Sequence, residues 1–216
     1  NETACTPAAC VSGTTNTLDI LGDGSCIATY TLDGTPADLS GNYNGVQTDV
    51  TYPQGEFDLA GAFNGTSSQI IYSLNAVTNM SVSLWIYLTE TPTNNIVYEF
   101  NNGYGLWFIN NYGNQGKIGV QYANSNSSHK LSNSTIPLNQ WVHIVGIHGS
   151  GTASLYVNNV SQNGGNMTDY LTCDQTTIGS RRTGEFFKGQ IDQVRIFNKA
   201  LSAGEVTTLY NETPCN

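Results

Sequence analysis

From Met80 to Leu88 the chain alternates without a break: Val82, Leu84, Ile86 and Leu88 fall on one side, and Ser81, Ser83, Trp85 and Tyr87 on the other. Successive side chains of an extended strand point to opposite faces, so this period of two predicts a strand with one face in a core. The pattern returns in CIATYTL (26–32), YGLWFIN (104–110), GKIGVQYA (116–123), QWVHIVGIH (140–148), TASLYVNNV (152–160), QTTIGS (175–180) and GQIDQVRIF (189–197). GEFDLAGAFNGTSSQIIYS (55–73) reads as two short strands around an Asn64-Gly65 turn, and HGSGT and NNVSQNGG read as hairpin turns. Residues 1–25 lack periodicity and read as an N-terminal arm or linker, leaving 26–216 as one domain.

No helical period precedes residue 200, yet one helix signal follows it. Phe187, Ile191, Val194, Ile196 and Phe197 mark a buried strand with a bulge near Asp192. Ser202-x-x-Glu205 is then a capping box, with Leu201 and Val206 placed as a hydrophobic staple around it. Leu209 and Tyr210 carry the apolar stripe onward for about two turns, too few to be stable alone, so the helix must dock on a sheet. The expected fold is all-β: an antiparallel two-sheet sandwich closed by one short C-terminal helix.

Composition narrows the setting. Only 11% of residues are charged, and twelve Tyr, seven Phe and three Trp supply the apolar area of a folded core. The net charge of −9 argues against nucleic acid, and no run approaches the ~18 apolar residues of a membrane span. Residues 1–116 hold ten acids and no Lys, Arg or His, whereas five of the seven bases fall between Arg181 and Lys199. An acidic surface suits solubility or calcium. Cysteines at 5, 10, 26, 173 and 215 make no C-x-x-C pair and no zinc spacing, and their wide spacing suggests disulfides and an extracellular setting. Eight N-x-S/T sequons occur, a count close to background for so much Asn, Ser and Thr.

The chain opens NETAC and closes NETPC. One reading is a tandem array, in which Cys5 is the counterpart of Cys215 and each copy owns Cys10, Cys26, Cys173 and Cys215 as an even, pairable set. The other is a single chain with an odd thiol, free or linking two molecules.

The later segments resemble the laminin G-like jelly-roll modules of the concanavalin A-like lectin and glucanase superfamily. DLSGNYNG (38–45) resembles the family's early D-x-S-G-N turn, and AFNGTSSQIIY (62–72) its G-x-F-D-G strand pair, with Asn64 in place of the usual Asp. SVSLWIYL (81–88) resembles the Trp-bearing strand, and QWVHIVGIHGSGTASLYVNNV (140–160) the W-x-H-V-A hairpin with its L-Y-V-N-G strand. Residues 177–211 resemble the closing segment almost throughout. The resemblance implies the fold; the superfamily includes lectins, adhesion modules, structural modules and hydrolases, so function must come from a site.

Three chemistries are open to such a module. Glycoside hydrolysis needs two carboxylates about 5–10 Å apart, which a sandwich often places in an E-x-D-x-x-E run. None exists; Glu90, Glu99 and Glu185 stand alone beside turns, and His129, His143 and His148 read as structural, so no catalytic residue is expected. For metal, the resemblance allows a structural calcium near the early turn and the late strand, with Asp38, Asn42 and Asp192 as ligands; the plainer readings are Asx turns and an Arg partner for Asp192. For glycans, Tyr87 lies opposite the aliphatic face, NNGYGLWFINNYGN (101–114) groups Tyr104, Trp107 and Tyr112 with amides, and Arg181-Arg182 at a hairpin tip suits an anionic sugar. Trp85 and Trp141 read as core. The expectation is a secreted or surface-exposed, non-catalytic module that binds glycans or cell-surface polysaccharide, with no nucleic-acid or membrane role. Its competitor is a structural repeat unit that associates with neighbouring copies through its arms and disulfides.

Overall fold

The computed structural model describes residues 15–74, 77, 79–92, 96–100, 104–109, 114–121, 129–149, 151–162, 164–166, 175–181 and 184–214. Among the described residues, fifteen strands precede one helix. They are β1 Cys26–Tyr30, β2 Val46–Thr48, β3 Gly61–Asn64, β4 Gln69–Tyr72, β5 Met80–Tyr87, β6 Ile96–Phe100, β7 Tyr104–Ile109 and β8 Lys117–Gln121. There follow β9 His129–Leu131, β10 Trp141–Gly149, β11 Thr152–Val157, β12 Val160–Ser161, β13 Gly165–Asn166, β14 Thr176–Ile178, β15 Lys188–Phe197 and the helix α1 Ala203–Tyr210.

Two antiparallel sheets result. One has eight strands in the order β1-β15-β5-β10-β11-β12, with β3 also on β15 and β13 also on β11; the other has seven, ordered β2-β4-β14-β6-β7-β8-β9. The alternation read from β5 holds: Val82, Leu84, Ile86 and the adjoining Leu88 are buried in the inter-sheet core. They join Val142, Ile144, Ile191, Val194 and Ile196 from their own sheet and Ile70, Tyr98, Leu106, Phe108 and Ile178 from the other. The β11–β12 hairpin turns on Asn158 and Asn159, both at positive φ, which Asn tolerates better than most residues.

The helix is capped as expected. The Ser202 side chain accepts from the Glu205 amide, and the Glu205 carboxylate accepts from the Ser202 amide. Its docking place differs from a seal across the sandwich. Val206, Leu209 and Leu201 form a second cluster with Val145, Ile147 and Phe197, on the outward face of the eight-stranded sheet. The residues that alternate away from the main core there are thus covered by α1 and by residues 15–25, where Thr15 and Ile20 are buried. Thr15–Ser25 is part of the domain, not an arm, because that sheet's second face is apolar and must be covered.

Under α1 the Trp85 ring stacks on Tyr210 with centroids 5.8 Å apart, and His143 lies 5.0 Å from Trp85. His143 Nε2 is 2.8 Å from Ser83 Oγ, and burial lowers its pKa to about 3. One guanidinium ties the cover down. Arg195, fully buried, donates to Glu212 Oε2 at 2.9 Å and to the carbonyls of Thr15 at 3.1 Å and Thr17 at 2.6 Å. The Thr15 amide donates to the Thr213 carbonyl at 3.0 Å, so both ends of the described chain meet beside it.

Replacing Glu212 with Ala strands a buried cation and should cost about 3–5 kcal/mol, read as a lower urea midpoint. His143 yields a pH test. Its folded pKa lies below its unfolded one, so its contribution is complete above the unfolded pKa and is lost as pH falls toward the folded value. Between about pH 7 and about pH 4 the wild-type chain should lose about 3 kcal/mol more stability than His143→Gln, provided the variant folds.

Candidate functional site

The outward face of the seven-stranded sheet carries charge where the opposite sheet carries a helix. Register places Ile71, Thr177, Glu99, Gly105 and Gln121 in one row across β4, β14, β6, β7 and β8. Tyr72, Tyr98, Leu106 and Ile178, one step away along these strands, belong to the core, so the row faces outward. Two positions on this face are bare backbone. A Cβ at Gly105 would lie 1.9 Å from the Tyr98 carbonyl oxygen, and one at Gly119 would lie 2.8 Å from a Leu131 methyl.

Glu99 is 1% exposed in spite of facing outward, and Arg181 lies over it with Nε 3.6 Å from Oε1. The same guanidinium donates through Nη1 to Glu185 Oε2 at 3.1 Å. Ser180 and Phe186 bridge, and the Arg181 amide donates to the Glu185 carbonyl, so a tight turn holds both carboxylates around one cation. The sequence pattern places Glu99 beside a turn and Arg181 at a hairpin tip open to an anionic sugar. Both are corrected: Glu99 lies within β6, and the Arg181 side chain is 14% exposed between two acids. The guanidinium occupies the space between the two carboxylates, where a hydrolase would hold the scissile bond.

The other expected ligand residues separate. Tyr104 and Trp107 lie on β7, where Trp107 pairs with Gly119 of β8. Tyr112 and Arg182 lie outside the described residues. Tyr87 is on the opposite sheet, half-buried, with its ring 5.5 Å from Trp141. Trp85 is core, as expected; Trp141 is half-buried on the outward face, because α1 ends over Trp85 and does not extend to it.

The expected calcium ligands do not form one set. Asp38 accepts from the amides of Thr29 (2.8 Å), Ser40 (3.1 Å) and Tyr43 (3.2 Å) and from the Ser40 hydroxyl, so turn donors occupy its oxygens. Asn42 is exposed on that turn. Asp192 is fully buried; Oδ2 accepts from the Phe57 amide at 2.9 Å, while Oδ1 has no partner. No Arg reaches Asp192 among the described residues, and no three His, Cys, Asp or Glu side chains among them are grouped to hold a metal. Of the expected disulfide set, Cys26 is a free, buried thiol 3.4 Å from Thr29 Oγ1, a correction for that residue; Cys10, Cys173 and Cys215 lie outside the described residues.

Comparison with known proteins adds the following. A family model described as the concanavalin A-like lectin/glucanases superfamily matches residues 63–207. Domain 4 of AbnA, a GH43 extracellular arabinanase of Geobacillus stearothermophilus in complex with arabinotriose, is similar at TM-score 0.73 and 24% identity, covering 87% of this chain and 98% of that one. The binding domain of Paraclostridial Mosquitocidal Protein 1 is similar at TM-score 0.66 and 19% identity, covering 87% of this chain and 52% of that one. Botulinum neurotoxin type C, described as dependent on interaction with two ganglioside molecules, gives TM-score 0.64 and 16% identity, covering 87% of this chain and 51% of that one. Trypanosoma rangeli sialidase with the inhibitor DANA gives TM-score 0.64 and 12% identity, and this chain spans 32% of its length. No curated protein matches by sequence.

Proposed function

The chain belongs to the concanavalin A-like lectin/glucanases superfamily, and we propose that it serves there as an extracellular, non-catalytic module that binds glycans. The observation that carries this reading is the Glu99–Arg181–Glu185 cluster on the outward face of the seven-stranded sheet. A buried ion pair adds little net stability to a fold, so one kept outside the hydrophobic core points to recognition. Oriented carboxylate and guanidinium groups above bare backbone at Gly105 and Gly119 match the hydroxyls of a saccharide laid along the strands. Trp107, on the neighbouring strand β7, is of a residue type that stacks on sugar rings. The similar folds with arabinotriose and gangliosides support a saccharide ligand, and the cation lodged between Glu99 and Glu185 favours holding over cleaving.

One observation favours the alternative, a building block among like copies. Asn211 caps α1, Glu212 pairs with Arg195, and Thr213 accepts from Thr15, so each residue of this Asn-Glu-Thr has a structural task that Asn1-Glu2-Thr3 repeats in sequence. Sizing with and without reductant tests it: a monomer in both conditions counts against disulfide-linked copies.

On an array of neutral and acidic glycans the wild-type chain should bind saturably. Glu99→Gln should weaken that binding about tenfold or more, with a melting temperature showing the fold retained. Absence of any saturable signal, or sugar turnover that depends on Glu99, overturns the reading.

A further inference from the structure

The cover over the eight-stranded sheet stops short of one row. Register aligns Trp141, Tyr87, Gln190 and Ala62 across β10, β5, β15 and β3. Val142, Ile86, Ile191 and Phe63, one step away along these strands, are buried in the inter-sheet core, so the row faces outward on the side of α1. All four of its residues are half-buried, and none is charged. The Trp141 and Tyr87 rings stand 5.5 Å apart at a tilt of 54°, and Gln190 is the neighbour of Tyr87 on its other edge.

Two residues back along β5, about 7 Å away, the same face is closed. There Tyr210 lies on Trp85 with its ring plane within 14° of the indole, and Phe57 meets that indole edge-on at 5.6 Å. The last residue of α1 and the loop that carries Phe57 thus both end over Trp85. Two residues beyond Gln190, Lys188 pairs with Glu90 at 3.1 Å, and both side chains are at least half exposed. The row is therefore an open strip between covered rings and an exposed ion pair. Trp85, at its margin, has its indole Nε1 buried without a hydrogen-bond partner, and an unmet buried donor is costly.

We propose that this row is a second saccharide-binding site, in which a neutral sugar ring packs its C–H face on Trp141 and Tyr87 and hydrogen-bonds to the Gln190 amide. The sugar takes the place over Trp141 and Tyr87 that Tyr210 takes over Trp85. Aromatic rings beside an amide suit a ligand that is apolar on one face and hydroxylated at its rim. An uncharged row offers an anionic sugar no ion-pair partner, which sets it apart from the Glu99–Arg181–Glu185 cluster. A peptide strand fits less well, because the β5 backbone at Tyr87 is already paired on both edges, with β10 and with β15, and has no open edge to extend. The site extends the glycan reading but lies on the opposite sheet and does not rest on the Glu99 cluster; with both, the module holds saccharides on two faces.

The test compares the wild-type chain, Glu99→Gln, and Trp141→Ala, Trp141→Phe and Gln190→Ala, each alone and combined with Glu99→Gln, on an array of neutral glycans, with the size and melting temperature of every chain measured alongside. Glu99→Gln should keep a weaker saturable binding, and Trp141→Ala in that background should lower it about tenfold or more. Trp141→Phe, which keeps a flat ring, should retain most of it, and Gln190→Ala should lower it several-fold with the melting temperature unchanged. Should Trp141→Ala fail to fold, Gln190→Ala decides alone. Loss of all neutral-glycan binding in Glu99→Gln, or residual binding indifferent to Trp141→Ala and Gln190→Ala, overturns the second site and leaves the first. Binding indifferent to Glu99→Gln but lost in Trp141→Ala does the reverse. A dimer that Trp141→Ala dissolves assigns the row to a second copy of the chain and overturns the proposal.

Discussion

Ten residues, Lys188–Phe197, must hydrogen-bond to three neighbours, and most of the domain's peculiarities follow from that demand. β5 takes one edge along nearly the full length; β3 and β1 divide the other. Two short strands meeting a longer one end to end leave a gap, and the backbone answers with a bulge at Asp192–Arg195. The slip preserves the alternation on either side, so Ile191 and Ile196 both reach the core while Asp192 and Arg195 both face outward. It also brings two strongly polar side chains to places from which water is excluded.

The two are satisfied differently. Arg195, beyond the slip, has its guanidinium met by Glu212 and by the carbonyls of residues 15 and 17, so burial of this cation requires both ends of the described chain. That requirement explains why α1 stops where it does: the chain leaves the Asn211 cap and at once presents Glu212 to the guanidinium. Asp192, before the slip, accepts from the Phe57 amide at Oδ2, and its Oδ1 has no hydrogen-bond partner. The C-terminal helix therefore closes the outward face of one sheet, and the inter-sheet core is complete without it.

Much of this was legible in the sequence wherever the signal was local. The Ser202–Glu205 box, the Leu201–Val206 staple and the alternation in β5 are read from residues within a turn of one another, and each holds. β6 escaped because its register slips between Ile96 and Tyr98, which turns an alternating strand into the unbroken run Ile96-Val97-Tyr98. With β6 unseen, Glu99 had no face to belong to. Trp85 and Trp141 carry the same alternation and differ only in what lies above them, Tyr210 over one and not the other, which periodicity does not encode. Asp38 shows the converse. Its Asx turn was correctly legible, but so complete an enclosure by nearby amides removes the oxygens a metal would need.

The half-buried guanidinium of Arg181 and the buried one of Arg195 make the strongest contrast between the two outward faces. Arg195 faces a surface that α1 and residues 15–25 cover with Leu209, Val206 and Ile20, so its polar partners come from the covering segments themselves. Arg181 draws its partners from its own turn and its own sheet, Glu185 four residues on and Glu99 on β6, and needs no covering element to be neutralised. A face whose cation is paired from its own sheet and turn keeps its geometry whether or not anything lies on it. The cover over the eight-stranded sheet is thus a requirement of the fold, whereas the contacts of Arg181 are made without one.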